Sequence, residues 1–200
     1  MSDIRWHDHA ISRDERWARV GHRGATVWLT GLSGAGKSTI ANEAARQLFA
    51  AGVNAYVLDG DNLRHGLTAD LGFSDEDRIE NVRRIGEVAL LLADMGSVVF
   101  APVISPFWAG RDAIRRRHHN AGIGFAEVFI STPVEECAQR DTKGLYAKAA
   151  KGELSGLTGV DAPYEAPESP ELALVTSDRS VSACAEELIS ALRHLWDLQH

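Results

Sequence analysis

The sequence predicts an α/β fold: a parallel five-stranded sheet with helices on both faces, plus one lid segment. Three observations lead there. Short apolar runs alternate with stretches of helical spacing along the chain. A glycine-rich turn separates the first strand from the first long helix. One long stretch, residues 141–170, breaks the alternation with Lys, Gly, Glu and Pro and shows no clear apolar period.

Taken in order, residues 26–29 form the first strand and residues 37–50 the helix after the glycine-rich turn. Residues 55–58 form a second strand that ends in Asp59-Gly60-Asp61. Residues 76–94 carry Ile79, Val82, Ile85, Val88, Ala89 and Leu92 at helical spacing. Residues 97–104 form the third strand, stopped by Ser105-Pro106. Residues 111–119 read as helical and residues 126–130 as the fourth strand. Thr132-Pro133 supplies an N-cap and first-turn signal for a helix through Arg140. Residues 172–175 are a fifth strand and residues 181–198 a closing helix. An irregular stretch as long as 141–170 is usually functional or disordered in a compact domain, and it reads here as a mobile lid rather than a surface excursion.

With 200 residues, 44% of them apolar, the chain has room for one substantial core. The expected organisation is an N-terminal strap over residues 1–24 and a single domain over residues 25–200. A net charge of −7 gives no basic footprint for nucleic acid. The two cysteines, Cys137 and Cys184, form no CxxC pair, which argues against a disulfide framework or structural zinc and fits a reducing compartment. Cys137 falls on an amphipathic stretch and reads as a core thiol. The first twenty residues lack the apolar core of a signal peptide, and the longest apolar run, residues 98–104, is too short to cross a bilayer. The expectation is a cytoplasmic protein with no membrane partner.

The strongest chemical signal is Gly31-Leu32-Ser33-Gly34-Ala35-Gly36-Lys37-Ser38, a match to G-x-x-x-x-G-K-[ST] between a strand and a helix. Its glycines let backbone N–H groups converge on phosphate oxygens, and the helix N-terminus adds positive charge. Lys37 is expected to reach the β- and γ-phosphates of a nucleotide, and Ser38 to help ligate Mg²⁺. A plain Gly/Ser turn capping a helix would not need Lys-Ser at that offset. This is a P-loop NTPase signature, yet no Asn-Lys-x-Asp guanine signal occurs, and the third strand ends without the acid a motor ATPase places there.

The acids instead follow the second strand. Ligands of doubly wound sheets bind outside the carboxyl ends of strands. There, Asp59 could support the metal and Asp61 accept a proton from an attacking hydroxyl. The same residues also fit a turn whose aspartates cap a helix. Arg64 follows Asp61 by three residues, and Arg78, Asn81 and Arg84 share one side of a helix. Such a row suits an anionic acceptor, or a solvated face paired with Glu76, Asp77 and Glu80.

Together these blocks resemble the adenylyl-sulfate kinase (APS kinase) family. The likeness runs from about Trp6 to Glu171. It is carried by Trp6-His7-x-His9, residues 31–39, Leu58-Asp59-Gly60-Asp61-Asn62-Leu63-Arg64-His65-Gly66-Leu67 and Asp70-Leu71-Gly72-Phe73-Ser74. It continues with Asp77-Arg78, Glu80-Asn81-x-Arg83-Arg84, Ile104-Ser105-Pro106-Phe107, Arg140-Asp141-x-Lys143-Gly144-Leu145-Tyr146 and Thr158-Gly159-Val160-Asp161-x-Pro163-Tyr164-Glu165-x-Pro167. The resemblance implies MgATP-dependent phosphorylation of the ribose 3′-hydroxyl of adenosine 5′-phosphosulfate (APS), giving 3′-phosphoadenosine 5′-phosphosulfate (PAPS) and ADP in sulfate assimilation. A kinase of another nucleotide or small metabolite, or a non-catalytic P-loop module, is the alternative.

The resemblance implies Asp61 as general base, with Lys37 and Asp59 catalytic beside it and Ser38 with Asp59 at the Mg²⁺. ATP would meet Gly31, Ser33, Gly34, Ala35, Gly36, Lys37, Ser38, Thr39 and Arg140, with residues 177–179 near its adenine. APS would meet Asp61, Arg64, Phe73, Arg78, Asn81, Ile104, Ser105, Lys143 and Leu157, with Phe73 stacking on its base. The family serine at position 105 has been assigned as a phosphoenzyme nucleophile. No histidine or lysine stands beside Ser105 in sequence to activate it, so direct in-line transfer is expected. The family usually has phenylalanine where this chain has Leu157, which costs one face of the base its aromatic cover. The resemblance also implies a homodimer, and any coupling to ATP sulfurylase would run through a separate chain.

Overall fold

The computed structural model describes residues 5, 7 and 9–197. Five strands, β1 (Ala25–Thr30), β2 (Ala55–Val57), β3 (Val98–Pro102), β4 (Gly124–Ile130) and β5 (Leu172–Leu174), form one parallel sheet in the order β2-β3-β1-β4-β5. All six residues of β1 are buried, as its central place and two covered faces demand. Alternation along β1 divides the interior in two. Ala25, Val27 and Leu29 pack with α2 (Lys37–Ala50) and α8 (Val181–Leu192) on one face. Trp28 packs with α4 (Asp75–Met95) and α5 (Trp108–Asn120) on the other.

The predicted alternation of elements is present. Strand bounds shift by a residue or two, with β3 ending at Pro102 rather than residue 104, a helical turn at Gly60–Leu63 follows β2, and four further differences stand out. Residues 12–20 are not a plain strap: α1 (Arg13–Val20) forms there, started by a reciprocal pair in which the Ser12 hydroxyl accepts from the Glu15 N–H and the Glu15 carboxylate accepts from the Ser12 N–H. Arg13 and Arg16 then hold Asp94 near the end of α4. Trp6 lies outside the described residues. Thr132 does not cap α6 (Val134–Arg140), because Pro133 takes the cap position and the Thr132 hydroxyl donates to the Ala35 carbonyl at 3.0 Å. The lid contains a short helix, α7 (Leu145–Ala150), whose start is fixed by Asp141 accepting from the Tyr146 and Ala147 N–H groups. The closing helix ends at Leu192 and passes into a 3₁₀ turn, Arg193–Leu195; Leu198 lies outside the described residues.

The chain leaves β1 for the far edge at β2, returns to β3, then crosses to β4 on the other side of β1. The reversal of direction beside β1 opens a crevice at the strands' carboxyl ends, where a ligand fits. No helix among the described residues is long and apolar enough to cross a membrane.

Candidate active site

At those carboxyl ends lies a cavity of about 870 Å³. One wall is the loop after β1. Its glycines adopt φ values closed to other residues, +145° at Gly31, +77° at Gly34 and +103° at Gly36, which turn the chain back into the N-terminus of α2. Lys37 is 7% exposed, and its Nζ donates to the carbonyls of Gly31 at 2.9 Å and Leu32 at 2.7 Å. Burial pushes its ammonium down to about 8. Ser33, Gly34, Gly36, Lys37, Ser38 and Thr39 line the cavity; Gly31 and Ala35 shape the loop from behind it. The Ala35 carbonyl accepts from both Thr132 and Thr176, and Arg140 donates to Thr176 at 2.8 Å. Arg140 and Arg179 form the outer rim on this side.

A second wall follows β2. Asp59 caps the single turn α3 (Gly60–Leu63), its Oδ1 accepting from the N–H groups of Asp61 at 3.0 Å and Asn62 at 3.3 Å. The capping reading of the acid pair is thus right for Asp59. Asp61 is not a cap; it is exposed on the cavity side and forms an ion pair with Lys143 of the lid.

The third wall carries Arg64, Phe73, Arg78 and Asn81. The Arg64 guanidinium lies 4.2 Å from the centre of the exposed Phe73 ring and donates to the Leu71 and Gly72 carbonyls. Arg78 donates to the Phe73 carbonyl at 2.9 Å, to the Gly156 carbonyl at 2.6 Å and to the Thr158 hydroxyl. Asn81 is buried on the wall, and its Oδ1 has no partner among the described residues. Arg84 belongs elsewhere: it pairs with Asp70 and Glu80 on the helix surface, as a solvated face would.

Ile104, Ser105 and Leu157 complete the lining. Ser105 sits at φ +43°, a left-handed conformation that costs a residue other than glycine roughly 1–3 kcal/mol. Its buried hydroxyl accepts from Trp28 Nε1 at 3.0 Å and donates to the Val103 carbonyl at 3.2 Å. Leu157 is buried, its N–H donating to Asp161 at 2.6 Å.

Residues 141–170 are fastened to both sides of the cavity. On the loop side the Tyr146 hydroxyl donates to the Ser33 carbonyl at 2.9 Å, and Gly159, at φ +85°, packs so closely that a Cβ there would come 2.5 Å from Leu32. On the other side the segment meets Arg78 and Asp61. Thr158 and Tyr146 stand in blocks that carry the family resemblance, while nothing local points Thr132 or Thr176 to Ala35, which is far away in the chain.

The model for the family described as adenylylsulphate kinase matches residues 23–175. The chain belongs to the adenylylsulphate kinase family. Among its relatives, an adenylyl-sulfate kinase of Marinobacter nauticus is 50% identical over 193 residues, covering 96% of each chain. The bifunctional enzyme CysN/CysC of Mycobacterium tuberculosis is 56% identical over 170 residues, 85% of this chain and 28% of that protein. The solved APS kinase CysC of Mycobacterium tuberculosis, in complex with AMPPNP and APS, superposes with a TM-score of 0.83 at 55% identity, covering 86% of this chain and 98% of that one. The stretch matched to adenylylsulphate kinase takes in the loop, both aspartates, the wall of Arg64, Phe73, Arg78 and Asn81, and residues 141–170. Thr176 behind the loop and Arg179 on the rim lie beyond it.

Proposed function

We propose that the chain transfers the γ-phosphoryl group of ATP directly to the ribose 3′-hydroxyl of APS, with Asp61 as general base, giving PAPS and ADP. The observation that carries this is the position of Asp61 in one cavity between the Lys37 loop and the wall of Arg64, Phe73, Arg78 and Asn81. The loop N–H groups and Lys37 hold the donor phosphates. Phe73 stacks on the acceptor base, and Arg64, Arg78 and Asn81 hold its anionic group and nucleotide. Asp61 leaves Lys143 and takes the hydroxyl proton. The freed oxygen forms a bond to the γ-phosphorus as the bond to the β-phosphate oxygen breaks, and the electrons leave with ADP. Lys143, released near the phosphates, offsets the charge there. Ser105 is a pocket residue, because its hydroxyl is committed to Trp28 and Val103.

Mg²⁺ fits this donor set. Asp59 spends Oδ1 on its cap and leaves Oδ2 without a hydrogen bond among the described residues, and Ser38 opens the helix beside it. Few protein oxygens plus phosphates is the usual company of this ion. When bound it neutralises charge on the β- and γ-phosphate oxygens.

A coupled assay with ATP and Mg²⁺, run with APS beside adenosine, AMP and gluconate, tests the assignment. Turnover is expected with APS; turnover with another acceptor and none with APS would overturn it. The remaining parts of the reading are a lid over residues 141–170, a homodimer, a cytoplasmic location and functional coupling to a separate ATP sulfurylase chain. Light scattering on the eluted protein tests the dimer.

A further inference from the structure

Behind the acceptor loop lies a buried charge network that the reaction as described does not use. Arg111, on α5, is 1% exposed and spreads its guanidinium over three partners. Nε donates to the buried Glu127 carboxylate on β4 at 2.5 Å, Nη1 to the Ser105 carbonyl at 2.7 Å and Nη2 to the Glu165 carbonyl at 2.7 Å. Glu127 is held in turn by Arg115 at 3.2 Å, which pairs with Glu171, and Glu171 accepts the Glu127 N–H at 2.7 Å. Two of the Arg111 bonds thus end on backbone: Ser105 lines the cavity, and Glu165 is bonded to Pro106, which lines it too. Ser105 is held at φ +43°, directly before Pro106, a conformation that needs its surroundings to hold it. Glu165 is where the lid returns to the body: its N–H donates to the Pro106 carbonyl at 2.8 Å, and its carboxylate accepts the Trp108 N–H at 2.5 Å.

We infer that Arg111 is a positioning residue for the acceptor: one guanidinium, anchored by Glu127, fixes both the Ile104–Ser105 loop and the C-terminal root of the lid, and so sets the shape of the APS half of the cavity. A planar fork with fixed N–H directions can serve three acceptors at once, whereas a lysine ammonium cannot match that geometry. None of the three contacts lies on the phosphate loop, so the ATP half is indifferent to the change. The inference rests on the assignment of APS to that half.

The test is Arg111→Lys, with Arg111→Met combined with Glu127→Leu as a second variant that removes the buried pair together and leaves no lone buried charge. For each folded variant, KM is measured for APS and for ATP separately. The expected result is a rise in KM for APS on the order of tenfold, with KM for ATP within about twofold, since misplaced substrate contacts commonly cost this much or more. Lid cleavage by a protease in the presence of APS should also accelerate. If the lysine variant does not fold, the paired variant carries the test alone. An unchanged KM for APS in a folded variant, or an equal rise for both substrates, overturns the inference. If the unaltered chain shows no turnover of APS, it is the functional assignment that fails, and that result is visible before any variant is made.

Discussion

The two halves of the cavity, proposed here as donor and acceptor sides, are built from different materials. The donor half is one continuous turn, residues 31–38, held by glycine backbone and braced from behind by Thr132, Thr176 and Arg140 around a single carbonyl, that of Ala35. The acceptor half is assembled from long side chains on separate segments, Arg64, Phe73, Arg78 and Asn81, and residues 141–170 reach it through Arg78, which donates to Gly156 and Thr158. A backbone cradle tolerates changes in surrounding side chains and binds any nucleoside triphosphate in much the same way. A side-chain wall selects its ligand, and single substitutions alter it. Asp61 stands at the seam.

The largest effect should come at that seam. Asp61→Asn keeps the shape and removes the base; turnover should fall by on the order of 10²–10⁴ while ATP affinity, measured by titration calorimetry, changes little. Equal turnover would remove Asp61 from the chemistry, and equal loss of ATP binding would erase the distinction between the halves.

Next comes the pH response of the donor half. Burial holds Lys37 at about 8, below an ordinary lysine, and bound phosphates favour its charged form. Nucleotide binding above that pH must therefore take up a proton, so affinity should fall by about tenfold per pH unit as pH rises beyond 8. Below 8 the lysine is already charged and affinity should be flat. Calorimetry in buffers of different ionisation heat reads the proton directly, and Lys37→Arg should abolish the slope. A flat affinity from pH 7 to 9.5 in the unaltered chain would contradict the burial effect.

In the acceptor half, Leu157→Phe should lower KM for APS by roughly fivefold, the gain expected from adding an aromatic face opposite Phe73. An unchanged or higher KM would mean that the lid has no room for the ring. The smallest effect on rate belongs to Ser105→Ala. With its hydroxyl tied to Trp28 and Val103, turnover should stay within about tenfold, while stability drops by about 1–3 kcal/mol because the buried indole N–H loses its acceptor. Loss of all turnover in a folded Ser105→Ala protein would reinstate a phosphoenzyme.

The same contrast explains what the sequence revealed. The loop was legible because its chemistry is local: the glycines, Lys37 and Ser38 act at fixed offsets in one turn, and α2 begins at the residue the motif implies. The acids and arginines after β2 were legible through resemblance, although their residue types left a capping turn as the lesser alternative, and Asp59 does cap. Thr132 was misjudged because a threonine before proline looks like a cap, whereas its hydroxyl is used 97 residues away in the chain. The helix α7 stayed hidden because its register comes from Asp141 and from Tyr146 reaching Ser33, and six residues are too few to show a helical period. Arg111 has no local signature at all: it gains meaning only when Glu127, Ser105 and Glu165 are brought to it. The capping box at Ser12 and Glu15 was readable, but the polar composition around it suggested only a strap.

Leu32 occupies a position that the phosphate-loop pattern leaves open to any residue. Here it seats against Gly159, where an added methyl group would have to push the leucine tip aside. That makes the pair a gauge of how closely residues 141–170 approach the loop. A much wider side chain at 32 should hold that segment off the loop without touching either nucleotide, and the two halves would then bind their substrates yet fail to bring them together.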